Sequence, residues 1–153
     1  MINLLIVCMG NICRSPMAQV VLKKYVSDAG LVGQICVESA GTHASREGER
    51  ADARAEASLA RRGYDVGRFR SRRVSPTDFD RYDWILAMDS ENLSALRAMC
   101  PSEHINKIRL YLNHSSNDST KSVPDPYYGN AQGFERVLDL CEVGARGWVD
   151  RLG

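Results

Sequence analysis

Four short apolar runs separated by helix-like stretches constrain this chain most. Asn3–Cys8, Ile35–Ser39, Trp84–Ala87 and Lys107–Leu112 each read as a buried strand. Ser15–Ala29, Ala51–Arg62, a segment capped by Asp89 or Ser90 and running to Met99, and Gln132–Arg151 read as helices. Strands this short and this apolar must be covered on both faces. Their alternation with helices predicts one α/β domain: three layers, α/β/α, around a four-stranded parallel sheet. Ser75-Pro76-Thr77-Asp78 predicts the cap of a further short turn, and Asn113–Asp125 reads as a polar loop. Phe134, Val137, Leu138, Cys141 and Trp148 are expected to face the core from the last helix.

Ligands of such sheets sit at the carboxyl ends of the strands. The first strand ends in Cys8-Met9-Gly10-Asn11-Ile12-Cys13-Arg14-Ser15, followed by Pro16. A loop closing into a helix start turns several backbone N–H groups toward one point, and the helix dipole favours an anion there. Gly10 permits close backbone approach, and Asn11 tolerates a left-handed turn. Pro16 suits a first helical turn. Arg14 offers a planar fork for two oxygens of a tetrahedral dianion. The same positive field favours the thiolate of Cys8, which is placed to attack such a group. Ser15 can donate to that sulfur. A phosphate-binding loop between first strand and first helix is therefore expected; a lone buried core thiol at a strand end is the plainer alternative for Cys8.

Other candidates are less specific. Asp125-Pro126 in a polar stretch is ordinarily a turn, with Pro126 holding Asp125 extended. Tyr127 and Tyr128 can wall a pocket or simply anchor a loop. Ser39 ends the second strand, and Asp89 follows the third as a helix cap or a site residue. Residues 46–73 hold nine arginines against five acids, which reads as a solvated face or a surface that steers acidic partners.

Composition narrows the class. At 153 residues with 44% hydrophobic and 25% charged residues, the chain suits one ordinary globular core. A net charge of +1 gives no push toward nucleic acid or a membrane surface. No apolar run approaches a membrane span, and the N-terminus does not read as a signal peptide. Five cysteines without metal-ligand spacing suit a reducing cytoplasm, and three scattered histidines suggest no metal site.

The motifs together resemble the low-molecular-weight protein tyrosine phosphatases. Val7–Pro16 is similar to that family's N-terminal signature, and Asp125-Pro126-Tyr127-Tyr128-Gly129 to its late motif. Glu38-Ser39-Ala40-Gly41-Thr42 and Ala87-Met88-Asp89 with Asn92-Leu93 fall between them, so the resemblance spans nearly the whole chain, 1–153. It implies hydrolysis of phosphotyrosine through a phosphocysteine on Cys8, with Arg14 binding phosphate and Asp125 as general acid and base. It further implies that Met9, Gly10, Asn11, Ile12, Cys13 and Ser15 surround the phosphate. Tyr127 and Tyr128 would flank the mouth, where they can themselves be phosphorylated. Asn11 and Ser39 would hold the loop, and Cys13 can form a protective disulfide with Cys8; Asp89 either tunes the acid loop or only caps a helix.

Two departures stand out. The Thr42–Glu49 loop often carries an aromatic in the family; here it has only His43, which implies a more open, polar mouth. Where the family often adds a histidine to the loop-holding network, Arg68 is the nearest counterpart. The implied partners are a phosphotyrosine protein, such as a tyrosine kinase, and inorganic phosphate or other oxyanions; no cofactor is implied. Three alternatives remain. A protein-arginine phosphatase would favour threonine at position 12, where Ile12 stands. A thiol-based arsenate reductase would need a cysteine relay after the third strand, where only Cys100 occurs. A phosphate-binding module would not need Cys8, Arg14 and Asp125 together.

Overall fold

The structure, a computed structural model, describes residues 1–114 and 121–153. The expected loop Asn113–Asp125 thus lies partly outside the described residues. The first strand, β1 (Ile2–Cys8), is followed by α1 (Arg14–Asp28), β2 (Ile35–Gly41), α2 (Ala53–Arg61) and α3 (Asp78–Arg81). Then come β3 (Trp84–Ala87), α4 (Ser90–Met99), β4 (Ile108–Leu110) and α5 (Ala131–Leu152), with 3-10 turns at Ser102–Lys107 and Tyr111–His114. The four strands form one parallel sheet in the order β2-β1-β3-β4.

Strand alternation sorts β1 between two cores. Leu4, Ile6 and Cys8 join the side packed by α1, α2 and α5; Leu5 and Val7 join the side packed by α3 and α4. This gives the expected three layers. The chain runs outward from β1 to β2, then returns to place β3 on the other side of β1. The strand order reverses there, so the carboxyl end of β1 opens on the crevice where ligands of such sheets bind. Cys8 stands at that end, paired with Gly41 of β2.

Most expected elements form, with instructive differences. The fourth strand is only Ile108–Leu110, not Lys107–Leu112. Tyr111 leaves the ladder because it is fully buried against α5. Its hydroxyl donates to the Cys141 carbonyl at 2.7 Å, and Trp148 Nε1 donates to its carbonyl at 2.7 Å. The second strand runs on to Gly41, because Gly41 N bonds Arg72 O and Val74 N bonds Gly41 O, each at 2.9 Å. α2 begins at Ala53, where the Asp52 side chain accepts from Arg54 N at 2.8 Å. Before α3, Thr77 provides no side-chain cap; Asp78 instead accepts from Ser75 N at 2.8 Å. The five expected core positions of α5 are all buried.

The α5–Tyr111 contact has no slack. A Cβ on Gly144 would lie 2.2 Å from Tyr111 Cε2. Gly144→Ala should therefore destabilise the fold by about 1–3 kcal/mol through overpacking. Urea unfolding checks this, and a loss under about 0.5 kcal/mol would show that the Tyr111 ring can move.

Candidate active site

The loop after β1 is built around the Asn11 side chain. Asn11 has a left-handed backbone, φ 56°, and is fully buried. Its Nδ2 donates to Ser15 Oγ at 2.8 Å and to Ser39 Oγ at 3.0 Å, while its Oδ1 accepts from Arg72 N at 2.9 Å. Ser39 Oγ in turn donates to Gln19 Oε1 at 2.5 Å. The third arm of this network is thus the backbone amide of Arg72. Arg68, the nearest counterpart of the histidine that the family often adds, is exposed, so this part of the network is built differently. Gln19, on the same helix face as Ser15 at i+4, is a member that the sequence reading did not single out.

This network orients groups on Cys8. Ser15 Oγ already accepts from Asn11, so its one proton can go to Cys8 Sγ at 3.0 Å or to Ala40 O at 3.5 Å. The shorter contact favours the sulfur. Asn11 N also donates to Cys8 Sγ at 3.2 Å. These are the contacts a thiolate needs. β2 packs tightly under the loop: a Cβ on Gly41 would come within 2.7 Å of Met9 O.

Arg14 is the first residue of α1 and is buried. Nη1 donates to Asp89 Oδ2 at 2.5 Å and to Val123 O at 3.1 Å. Burial alone would lower its pKa, but Cys8 and Asp89 hold the guanidinium charged. Nη2 lies 3.8 Å from Asp125 Oδ2, so donors remain for an anion. Asp89 also caps α4, accepting from Asn92 N at 2.7 Å. The alternatives of cap and site residue are therefore both realised, one by each oxygen.

The Asp125 segment comes from far along the chain. Val123 N donates to Met88 O at 2.7 Å, which pins this segment to the end of β3. Asp125 Oδ1 then accepts from Tyr127 N at 3.0 Å, a turn of the kind its Asp-Pro pair predicts. The result is a cleft of about 230 Å³ lined by Cys8, Met9, Gly10, Ile12, Cys13, Arg14, Ser45, Arg46, Asp125, Tyr127 and Tyr128. Ser39 and Asp89 support it from behind rather than lining it. A larger cleft of about 310 Å³, with Tyr25, Glu142 and Arg146 in its wall, holds no nucleophile.

The two tyrosines differ. Tyr128 is 93% exposed, whereas Tyr127 is half-buried, its hydroxyl bonded by Arg46 Nη2 at 2.9 Å and its ring 5.3 Å from the Arg54 guanidinium. Arg46 therefore supplies the wall that an aromatic often supplies, while His43 is exposed. The arginine-rich segment is only partly a solvated face. Arg62 binds Glu135, Asp139 and Glu142 of α5, and Arg72 binds Asp78. Cys13 lies buried at the start of α1; burial, then Asp52, pushes its thiol up to about 12. Among the described residues no group of three or more His, Cys, Asp or Glu side chains could hold a metal ion.

A cysteine at the switch point of a parallel sheet, facing an anion-binding loop, an arginine and a carboxylate, defines a thiol-centred oxyanion site. Comparison with known proteins gives the family. The profile of the low molecular weight phosphotyrosine protein phosphatases matches residues 3–153. A low molecular weight protein-tyrosine-phosphatase of Streptomyces coelicolor is 42% identical over 92% of this chain and 87% of its own. The crystal structure of an Entamoeba histolytica protein tyrosine phosphatase with Hepes in its active site superposes with TM-score 0.95 at 39% identity, covering 99% of this chain and 97% of that one. Vibrio vulnificus Wzb in complex with benzylphosphonate gives TM-score 0.85 at 30% identity, with 99% of each chain covered. The chain belongs to the low molecular weight phosphotyrosine protein phosphatase family.

Two outcomes follow from this geometry. Asn11→Ala strands Arg72 N without its acceptor and strains φ, so it should cost about 2–4 kcal/mol in urea unfolding. Asn11→Gly relieves only the strain; a near-normal stability for it would mean that the side-chain bonds matter little. Iodoacetate at pH 7 should label Cys8 and spare Cys13, whose thiol burial and Asp52 push up to about 12. Mass spectrometry of tryptic peptides reads the site, and label chiefly on Cys13 would contradict this description.

Proposed function

We propose that this chain is a protein tyrosine phosphatase whose single domain spans 1–153 and whose chemistry runs through Cys8. The observation that carries the reading is the convergence on one cleft of Cys8 and Arg14, from the loop after β1, and Asp125, more than a hundred residues further along the chain. In the first step the Cys8 thiolate attacks phosphorus, and the phosphorus–tyrosyl oxygen bond breaks. Asp125, in its acid form, gives its proton to the departing phenolate. Arg14 and the loop amides hold the equatorial oxygens, where transition-state charge gathers. In the second step Asp125 takes a proton from water as the water oxygen attacks phosphorus. The S–P bond breaks, inorganic phosphate leaves, and Ser15 stabilises the returning thiolate.

Ile12, Tyr127 and Tyr128 give the cleft an apolar wall suited to a phenyl ring. Inorganic phosphate and related oxyanions should bind as competitors, in keeping with the benzylphosphonate on the Vibrio relative. Phosphotyrosine proteins, a tyrosine kinase among them, are the substrates of this reading. Cys100 offers little support for a reductase relay: it ends α4, half-buried, its thiol donating to Pro101 O at 3.2 Å. All five cysteines stand unpaired, which suits a reducing cytoplasm. Cys8 is then the redox-sensitive cysteine: a peroxide would convert its thiolate to a sulfenic acid, and attack by the Cys13 sulfur would expel water and close a Cys8–Cys13 disulfide.

The test is phosphate release from matched phosphotyrosine, phosphoarginine and phosphoserine peptides, with Cys8→Ser as blank. Release should be tyrosine-selective and absent from Cys8→Ser. Arg14→Lys should lose about 10²–10³-fold in kcat, since one ammonium cannot replace the fork. Asp125→Asn should lose about 10²–10⁴-fold on poor leaving groups while still binding phosphate. Release chiefly from phosphoarginine would overturn the substrate assignment, and near-normal kcat for Asp125→Asn would place the acid elsewhere.

A further inference from the structure

The mouth of the cleft carries a cation that phosphate binding does not use. Arg46 lines the cleft beside Tyr127 and Tyr128. It is exposed, its Nη2 donating to the Tyr127 hydroxyl at 2.9 Å and its guanidinium carbon 5.9 Å from the ring centroid. The neighbouring arginines are neutralised by carboxylates. Arg14 holds Asp89, Arg50 holds Glu56 at 3.1 Å, and Arg54 grips Asp52 through Nε at 3.0 Å and Nη2 at 2.9 Å. Arg46 has no carboxylate partner among the described residues. Glu49, which shares the adjoining cleft with it, forms no ion pair with it. A phenol thus fixes this guanidinium at the rim without neutralising it, and most of its five donors remain unused.

We infer that Arg46 is a specificity-determining residue that reads a substrate carboxylate beside the phosphotyrosine. This rests on the phosphatase reading above and narrows it to phosphotyrosines flanked by Asp or Glu. A phosphotyrosine reaching Cys8 lays its ring against Tyr127 and Tyr128 and leaves its peptide backbone at the rim. Side chains of adjacent residues then pass the Arg46 guanidinium. The planar fork matches a carboxylate in two parallel hydrogen bonds. The Tyr127 bond has already ordered the arginine in the free protein, which lowers the entropic cost of binding. The contact is solvent-exposed, so its effect is modest and salt-sensitive.

The experiment compares kcat/KM for phosphotyrosine peptides identical except for Glu, Gln or Lys on either side, with p-nitrophenyl phosphate as a substrate that has no flanks. Wild type should prefer Glu over Gln and Gln over Lys, each by about three- to tenfold at low salt, and the spread should narrow at high salt. Arg46→Gln should flatten the ranking, Arg46→Lys should keep its order with a smaller spread, and Arg46→Glu should reverse it. A structural role alone would not reverse a charge preference. A flat wild-type profile, or a Glu preference that survives in Arg46→Glu, would overturn the inference while leaving the phosphatase intact. Absence of Cys8-dependent release from every peptide and from p-nitrophenyl phosphate would remove the phosphatase reading, and this inference with it.

Discussion

The buried side chain of Asn11 is the interaction on which the rest of the site depends. It makes three hydrogen bonds to groups from three segments: Ser15 on α1, Ser39 on β2, and the backbone of Arg72. Without it the Arg72 amide would lose its acceptor, at about 1–3 kcal/mol, and the two serine oxygens would each lose a donor. Those bonds hold a non-glycine residue at φ 56°, a conformation that costs about 1–2 kcal/mol. The strained turn is what aims Asn11 N at the Cys8 sulfur and brings Arg14 to the start of α1. Network and loop geometry are thus one feature. The hydrogen bonds fix the curvature, and the curvature creates the anion site.

A second constraint ties that loop to Asp125. Arg14 donates to Asp89 at the end of β3 and to the carbonyl of Val123, two residues before Asp125. The Val123 amide in turn bonds Met88 O. The guanidinium therefore touches both the sheet and the Val123–Asp125 segment, with Asp125 Oδ2 3.8 Å from its Nη2. Asp89 serves both Arg14 and the α4 N-terminus through different oxygens, so the helix and the arginine share one anchor. Removing that carboxylate would loosen both, because a buried guanidinium would lose its closest counter-charge.

The sequence was most legible where local rules act. Short apolar runs marked the strands, and Gly10, Asn11 and Pro16 marked the loop, because turn and helix-start chemistry are properties of adjacent residues. The heptad-like spacing of Phe134, Val137, Leu138, Cys141 and Trp148 marked the buried face of α5 correctly. It was least legible where a residue's role depends on what arrives from elsewhere. The fourth strand ended early because Tyr111 is claimed by α5. Arg68 in place of a histidine implied that the network beside Asn11 is built differently, but not how: a backbone amide, that of Arg72, fills the place, and backbone groups leave no mark in residue identity. Arg46 was visible only as one charge among nine in its segment until the fold set it over Tyr127.

Chemistry and layering were thus written locally. Cys8, Arg14 and Ser15 lie close along the chain at a strand-to-helix junction, and alternation of short apolar strands with helices leaves few ways to cover both sheet faces. The tertiary structure alone decided which distant groups meet them. It set Asp89, Val123 and Asp125 on Arg14, Ser39 and Arg72 on Asn11, and Arg46 on Tyr127. These contacts join residues up to 109 positions apart in the hydrogen-bond network, so they follow from sheet order and long-range packing rather than from local spacing.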